Sequence, residues 1–389
     1  MSVASHFLGP GERFSGSGQA WPTAIPDDCP VPGSDMLRGL ALTGRAIRYT
    51  KADTWFPAWA ADGAMYSPFT DGAVGAWASN SKGVCAMTGA ARIDGEDPLD
   101  LRIVPLGTEM ESPGPFVGRY PAGSLLYRGR WHYGTYLVHE ERDPRGQIQD
   151  LLGPFVGFRV SDDYGASWQL CPHPATQTVF GEAIGERPIK IGSPRFVDFG
   201  RELEHSPDGR AYMVGFGALP GHGHLNWILG DAIFLGRVDP AGGDLNDASR
   251  WEWFAGDGWA PTVEAAQPIF IWPRSVGQLS MTYIPAVRRY VMWVSYARQD
   301  GVPTISYVLE AEAMTGPWRI AGYWDGFGAQ AYFLNFPSRF MSADGKGAWL
   351  AYSANHTDYY RRTQTIPETP IGSRYALCLH EMRLDWRLA

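Results

Sequence analysis

Cysteine is scarce in this chain: Cys29, Cys85, Cys171 and Cys378 are the only four in 389 residues, and they lie far apart. There is no C-x-x-C pair of the kind that builds zinc or dithiol sites, and a chain of this length buries enough surface to fold without disulfide staples. The four read as reduced core thiols. Basic clusters are missing as well. Lysine and arginine number 33 against 41 aspartates and glutamates, a formal charge of −8. Proteins that bind nucleic acid need clustered cations to displace counterions from phosphates, so that class of partner is excluded. No apolar run approaches the ~20 residues that span a bilayer. The opening MSVASHFLGPGERFSG has neither the basic start nor the apolar stretch of an export signal. The expectation is a cytoplasmic protein with no membrane partner.

Glycine, proline and aromatics are plentiful instead: 47 Gly, 30 Pro, 16 Trp, 18 Tyr and 18 Phe. That mixture means short strands, tight turns and large side chains packed between sheets, an all-β profile. Five segments repeat a loose pattern of a strand start often marked by proline, a turn often written D-G, and a strand rich in Tyr, Trp and small residues. They begin near Phe56, Tyr120, Ser193, Leu279 and Phe336. Repeats of roughly 60 to 75 residues with about four short strands each read as propeller blades, which close into a ring and leave no long sheet edge exposed. The expected fold is therefore a five-bladed β-propeller with a central pocket, one domain over 1–389. Residues 1–40 form an irregular segment that covers one face or completes the last blade. Blades are placed at approximately 41–110, 111–180, 181–260, 261–325 and 326–389.

One local motif is sharper. Ser161-Asp162-Asp163-Tyr164-Gly165-Ala166-Ser167-Trp168 fits the S-x-D-x-G-x-x-W pattern and resembles the Asp-boxes of sialidases and other carbohydrate-active propellers. In those hairpins the Asp caps turn amides and the Trp packs beneath, so Asp163 is given a structural part and no catalytic one. Gly316-Pro317-Trp318 reads likewise as a turn into an outer strand.

In a propeller the starts of the inner strands converge on one face of the channel. The residues this places there include Asp53, Trp55 and Asp71 from the first blade, and Arg119 and Glu140 from the second. The third supplies Lys190, Glu204, His205, His222, His224 and Asn226. Gln278, Asn335 and His356 come from the last two. Such a mixture of carboxylates, cations, amides and aromatics suits a sugar pocket. Glycoside hydrolysis takes two carboxyls, one protonated to assist the leaving oxygen and one ionised to attack or to activate water. Asp53 and Asp71 are the expected pair: a strand running down and one running back would return both to the same face. Trp55 and its aromatic neighbours would supply a stacking platform and the apolar surroundings that raise one pKa.

The stretch Asp53-Thr-Trp-Phe-Pro57, followed by Asp62-Gly63, Phe69-Thr70-Asp71 and Ser79-Asn80, resembles the opening of the propeller endo-D-arabinanases, glycoside hydrolase family 183. The resemblance implies that the two acids are the catalytic pair and that an arabinofuranosidic bond is cleaved. The second acid stands here in Thr-Asp-Gly where the family has Gly-Asp-Thr. Five-bladed glycosidases more widely take a proton donor from a glutamate near the inner strand of blade three, which makes Glu204 a third catalytic candidate.

The expected function is thus an O-glycosidase with a carbohydrate substrate. Arg119, Glu140, His205, His222, His224, Asn226, Gln278, Asn335 and Trp55 are the expected substrate contacts. No cofactor and no metal are expected; the His222/His224/Asn226 loop with Asp231 could at most hold a structural or channel cation. Two alternatives stand beside this reading. One is a polysaccharide lyase acting on uronates, in which Arg119 or Lys190 would neutralise the uronate. The other is a carbohydrate-binding propeller without catalysis.

Overall fold

The computed structural model describes residues 11–111, 114, 117–142, 146, 148–184, 188–222, 226–298 and 303–387. Among them the chain is nearly all strand, with one short α-helix, His356–Arg361. The strands form five antiparallel sheets, the blades of a β-propeller. The first runs outward through Lys51–Asp53, Met65–Val74, Met87–Asp94 and Arg102–Met110, and the second through Gly118–Tyr127, Arg130–Arg142 and Ile148–Ser161. The third begins at Gly192–Phe196, continues through Ala211–Gly217 and Gly230–Val238, and carries Pro268–Val276 on its outer side. The fourth is Gln278–Ile284, Arg289–Tyr296, Ile305–Ala311 and Arg319–Asp325.

The fifth blade closes the ring with both halves of the chain. Tyr332–Asn335, Gly347–Ser353 and Leu377–Trp386 pair in order, and the outer place beside Leu377–Trp386 is taken by the N-terminal strand Leu37–Tyr49. Two boundaries therefore differ from the sequence reading. Residues 41–49 belong to the last blade and not the first, and 261–276 belong to the third and not the fourth. In each case pairing with a strand distant in sequence outweighs local order. Residues 11–36 are not an unstructured cover. Glu12–Ser15 pairs with Arg45–Arg48, and the carbonyls of Pro22 and Pro32 accept from Tyr323 and Ile320 on the outer strand of blade four. The free edges of blades four and five are thereby covered, as sheet edges must be if they are not to recruit other chains.

Aromatic side chains fill the wedges between blades. Trp21, from the N-terminal segment, packs against Trp293, Trp324 and Phe327 at centroid distances of 4.6 to 5.0 Å. Trp251 stacks on Phe158 and Trp253, and both tryptophans meet Phe180 edge to face, in the wedge between blades two and three. Such pairs add about 0.5–1.5 kcal/mol each beyond the area they bury, which explains the use of so much tryptophan. The turn 161–168 is closed by short hydrogen bonds. Ser167 donates to Asp163 through both N–H and hydroxyl, and the Ser161 hydroxyl donates to Asp163 at 2.7 Å. These donors, Ser167 first, hold the exposed Asp163 carboxylate down to about 2. Trp168 lies 5.2 Å from Trp131 and under the Arg159 guanidinium, well outside the channel.

Removing residues 1–49 deletes the strand that pairs with Leu377–Trp386. Such a truncated chain is expected to lose its cooperative melting transition and to associate through the bared edge, as read by circular dichroism and size-exclusion chromatography. Cooperative melting within a few degrees of the full chain would contradict this closure.

Candidate active site

Asp53 and Asp71 arrive at one place because their strands are neighbours. Asp53 ends the inner strand of blade one opposite Thr70, one residue before Asp71 on the returning strand. Side chains alternate along a strand, so regular geometry would send Thr70 and Asp71 to opposite faces. Left-handed backbone at Thr54 (φ 63°) and Asp71 (φ 50°) breaks that alternation. Non-glycine residues held there cost about 1–3 kcal/mol each, and such strain collects at working sites. Gly72 explains the order Thr-Asp-Gly: a Cβ at this position would lie 1.8 Å from the Lys51 carbonyl oxygen, so only glycine lets the two strands approach.

Both carboxyls face a cavity of about 330 Å³ at the mouth of the channel, walled by Tyr120, Tyr136, Trp227, Tyr332, Phe333, Tyr360 and His356, with Lys82 and Asp150 on one side. Asp53 is 7% exposed and Asp71 4%. Asp53 accepts from the Thr54 and Tyr332 hydroxyls, each at 2.9 Å. Burial, and then the negative charge of Asp71, push it well above the ordinary carboxylate range against those bonds. Asp71 is also raised by burial, but a backbone N–H and a nearby cation are among the groups that oppose the shift. Ser81 gives its N–H at 2.7 Å and its hydroxyl to the two oxygens, and the Tyr360 hydroxyl and the Lys82 charge act in the same direction. Two like charges this deep cannot both persist, so the pair titrates as a unit. Asp53 is pushed further up than Asp71, which has the Ser81 N–H and the Lys82 charge on its side, so of the two Asp53 favours the proton.

Lys82 is itself held 3.2 Å from Asp150 and 3.7 Å from Glu140. The aromatic walls are braced from behind. Trp227 and His356 meet edge to face at 5.7 Å, and Gln278 Nε2 donates to the Trp227 carbonyl at 2.6 Å. Arg195 lies 3.9 Å above the Phe56 ring, and both line a second, smaller cavity. Burial lowers its pKa to about 9.

The sequence-derived candidates divide into several groups. Asp53, Asp71 and His356 line the cavity, and Glu140 reaches its rim through Lys82. Gln278, Asn335 and Asn226 stand behind the wall. Asn335 donates to the carbonyls of Trp55 and Phe333, and Asn226 accepts from the Ile228 N–H across the turn that carries Trp227.

Five others are placed elsewhere. Trp55 turns into the core, its Nε1 donating to Ala52 and its ring stacked on Phe69, so it is no sugar platform. Arg119 is buried beside the channel, bonded to Thr135 and 3.6 Å from Glu111, where it cannot reach a ligand in the cavity. Glu204 follows the far end of its inner strand and lies at the opposite mouth. Its side chain is 42% exposed and accepts from the Arg201 N–H, which removes it from the catalytic set. His205 lies beside it against Tyr283. His222 is an exposed side chain 3.0 Å from the buried Asp231, whose oxygens also take the N–H groups of Leu219 and Arg274. His224 falls outside the described residues.

Sequence reasoning did not single out Lys82, Tyr120, Tyr136, Asp150, Trp227, Tyr332, Phe333 or Tyr360. Position offered a usable signal for some: Trp227 adjoins Asn226, Tyr332 and Phe333 open the fifth inner strand, and Tyr360 follows His356.

No protein-family model matches the chain, and no curated protein does. Among solved structures it is similar to a candidate hydrolase from Bacteroides ovatus ATCC 8483, with 11% identity and a TM-score of 0.53 over 94% of this chain and 93% of that one. An endo-arabinase from Bacteroides thetaiotaomicron VPI-5482 aligns at 11% identity and a TM-score of 0.42, covering 88% of this chain and 95% of that one. Zg3597, a family 117 glycoside hydrolase from the marine bacterium Zobellia galactanivorans, aligns at 12% and 0.45, covering 95% and 90%. At such identities the likeness is one of fold.

The ionisation of the pair carries a stability consequence. A carboxyl that stays protonated when folded but ionises near pH 3.9 when unfolded makes folding take up a proton. Its contribution is complete below that pH and is lost as pH rises towards the folded pKa, at up to about 1.4 kcal/mol per unit. Asp53→Asn removes the loss. Urea unfolding should show the variant close to wild type at pH 4 and more stable at pH 7. Equal differences at both pH values would mean that Asp53 is not held protonated.

Proposed function

We propose that the chain is a glycoside hydrolase whose Asp53 and Asp71 divide the two carboxyl roles. The observation that carries this reading is the buried pair itself: two carboxyls with unlike polar partners opening on one aromatic cavity. Asp53, protonated, would give its proton to the departing glycosidic oxygen. Asp71, held ionised by Ser81, would attack the sugar carbon or take the proton from an attacking water. Tyr120, Trp227 and Tyr332 offer ring faces to the sugar. The names of the structural neighbours, an endo-arabinase and a family 117 hydrolase among them, point the same way.

The resemblance of Asp53–Asn80 to family 183 supports a furanoside, and within furanosides an arabinofuranoside. The serine and aspartate bonds within 161–168 support an Asp-box. A reducing, cytoplasmic setting is supported by four cysteines that are all unpaired. The lyase reading loses its cations: Arg119 is turned to Glu111, and Lys190 donates to the carbonyls of Glu264 and Ala266.

Turnover of aryl arabinofuranosides, other aryl furanosides and pyranosides, and arabinan fragments tests the proposal. Asp53→Asn and Asp71→Asn should each lower kcat by at least about a thousandfold, or roughly 4 kcal/mol of transition-state stabilisation, with the fold retained. Glu204→Gln should keep wild-type turnover. Full activity in Asp53→Asn, or a product that absorbs in the near ultraviolet as an unsaturated uronate does, would sink it.

A further inference from the structure

Tyr360 belongs to two spaces at once. Its hydroxyl reaches Asp71 in the cavity, while the residue is 52% exposed and forms part of a groove of about 1080 Å³ on the same face. The groove runs on past Tyr359, Arg362 and Lys51. Tyr359 lies flat on Tyr375, with centroids 3.8 Å apart and planes 8° apart, and stands nearly perpendicular to Tyr360. The two rings make a fixed corner. Their position is locked by Asp358, whose carboxylate accepts from Thr363, Thr365 and the Ile366 N–H and so ties down the segment 358–366. Tyr375 in turn donates to the Asp71 carbonyl at 2.8 Å, joining the ring corner to the reacting strand.

Besides the Asp358 carboxylate, which is taken up by its hydroxyl and N–H donors, the groove carries cations of two kinds. Arg48 and Arg374 are neutralised by Glu12 and Glu368. Lys51 and Arg362 are exposed side chains with no acid paired to them among the described residues. Lys51 stands two residues before Asp53 on the same strand, so its distance from the cavity is fixed by the sheet. In a chain of formal charge −8, two unneutralised cations beside an aromatic corner form a local site for an anion attached to a ring.

We propose that the cavity continues into this groove, and that the groove holds the flanking units of an oligosaccharide carrying anionic substituents. Tyr359 and Tyr360 take the ring faces, and Lys51 and Arg362 take the charge. The inference rests on reading the cavity as the place of cleavage, but binding tests it apart from turnover. Calorimetry on the full chain would compare neutral oligosaccharides of three to five units with uronate-, sulfate- and phosphate-bearing ones, at low and high salt.

At least one charged series should bind about tenfold more tightly than the neutral one. The preference should shrink as salt screens exposed charges. It should vanish in Lys51→Gln/Arg362→Gln while the neutral affinity stays, and Tyr359→Ala should weaken both series. Equal binding of all series by wild type, or a preference unmoved in the double variant, overturns the groove and leaves the hydrolase reading standing. Charge-selective binding without turnover of any glycoside would overturn the hydrolase reading and leave the groove.

Discussion

The ring depends on one strand pairing made across almost the whole sequence. Until Leu37–Tyr49 lies against Leu377–Trp386, the blades have no common channel and the inner strands no shared mouth. Everything placed at that mouth comes from residues remote in the chain: Asp53 and Asp71 from the first blade, Trp227 from the third, Tyr332 and His356 from the fifth. A closure made of backbone hydrogen bonds and apolar packing fixes these positions without using any of the polar side chains of the cavity. Those side chains remain available for chemistry.

The proposed chemistry depends on exclusion of water from the pocket. Burial raises both carboxyls; the charge of Asp71 pushes Asp53 up further, while the Ser81 N–H and the Lys82 charge hold Asp71 down. Asp71 has the N–H and hydroxyl of Ser81 and the Tyr360 hydroxyl, with the Lys82 charge nearby, whereas Asp53 has three neutral hydroxyls, from Thr54, Tyr332 and Tyr375, and the charge of its neighbour. Identical side chains thus acquire different protonation from local solvation, which is what acid–base work on a sugar bond requires. Left-handed backbone at Thr54 and Asp71, and a glycine that no other residue could replace without moving Lys51, are the structural costs of bringing them together. A site held this way gives up stability that a neutral pair of the same shape would keep.

Much of this was legible in the sequence. Strand-length runs, turn signals and aromatic frequency announced the propeller, because those are local properties. The acids of blade one were legible because their spacing around a proline and a D-G turn is itself local. The last strand of the ring was not, since nothing in residues 37–49 names a partner more than three hundred residues away. Glu204 misled for a related reason: S-P-D-G after it is a turn signal, and a turn marks the end of a strand without saying which mouth of the channel it faces. Trp55 misled because an aromatic beside an acid looks the same whether it faces sugar or core. The tyrosines of the cavity were hidden by the abundance of their kind. Only the register of the inner strands sorts the ones that line the mouth from those that fill wedges.

The central claim is that one proton is shared unequally by Asp53 and Asp71 at neutral pH. Infrared difference spectroscopy on the unliganded protein reads this directly, through the stretch of a protonated carboxyl. Asp198 and Glu182 are also raised by burial, so the signal must be taken as the difference between wild type and Asp53→Asn. The account predicts a protonated-carboxyl band at neutral pH that disappears in Asp53→Asn and titrates at lower pH in Asp71→Asn, where the repelling charge is gone. A wild-type spectrum indistinguishable from that of Asp53→Asn in this region would show both acids ionised and would contradict it.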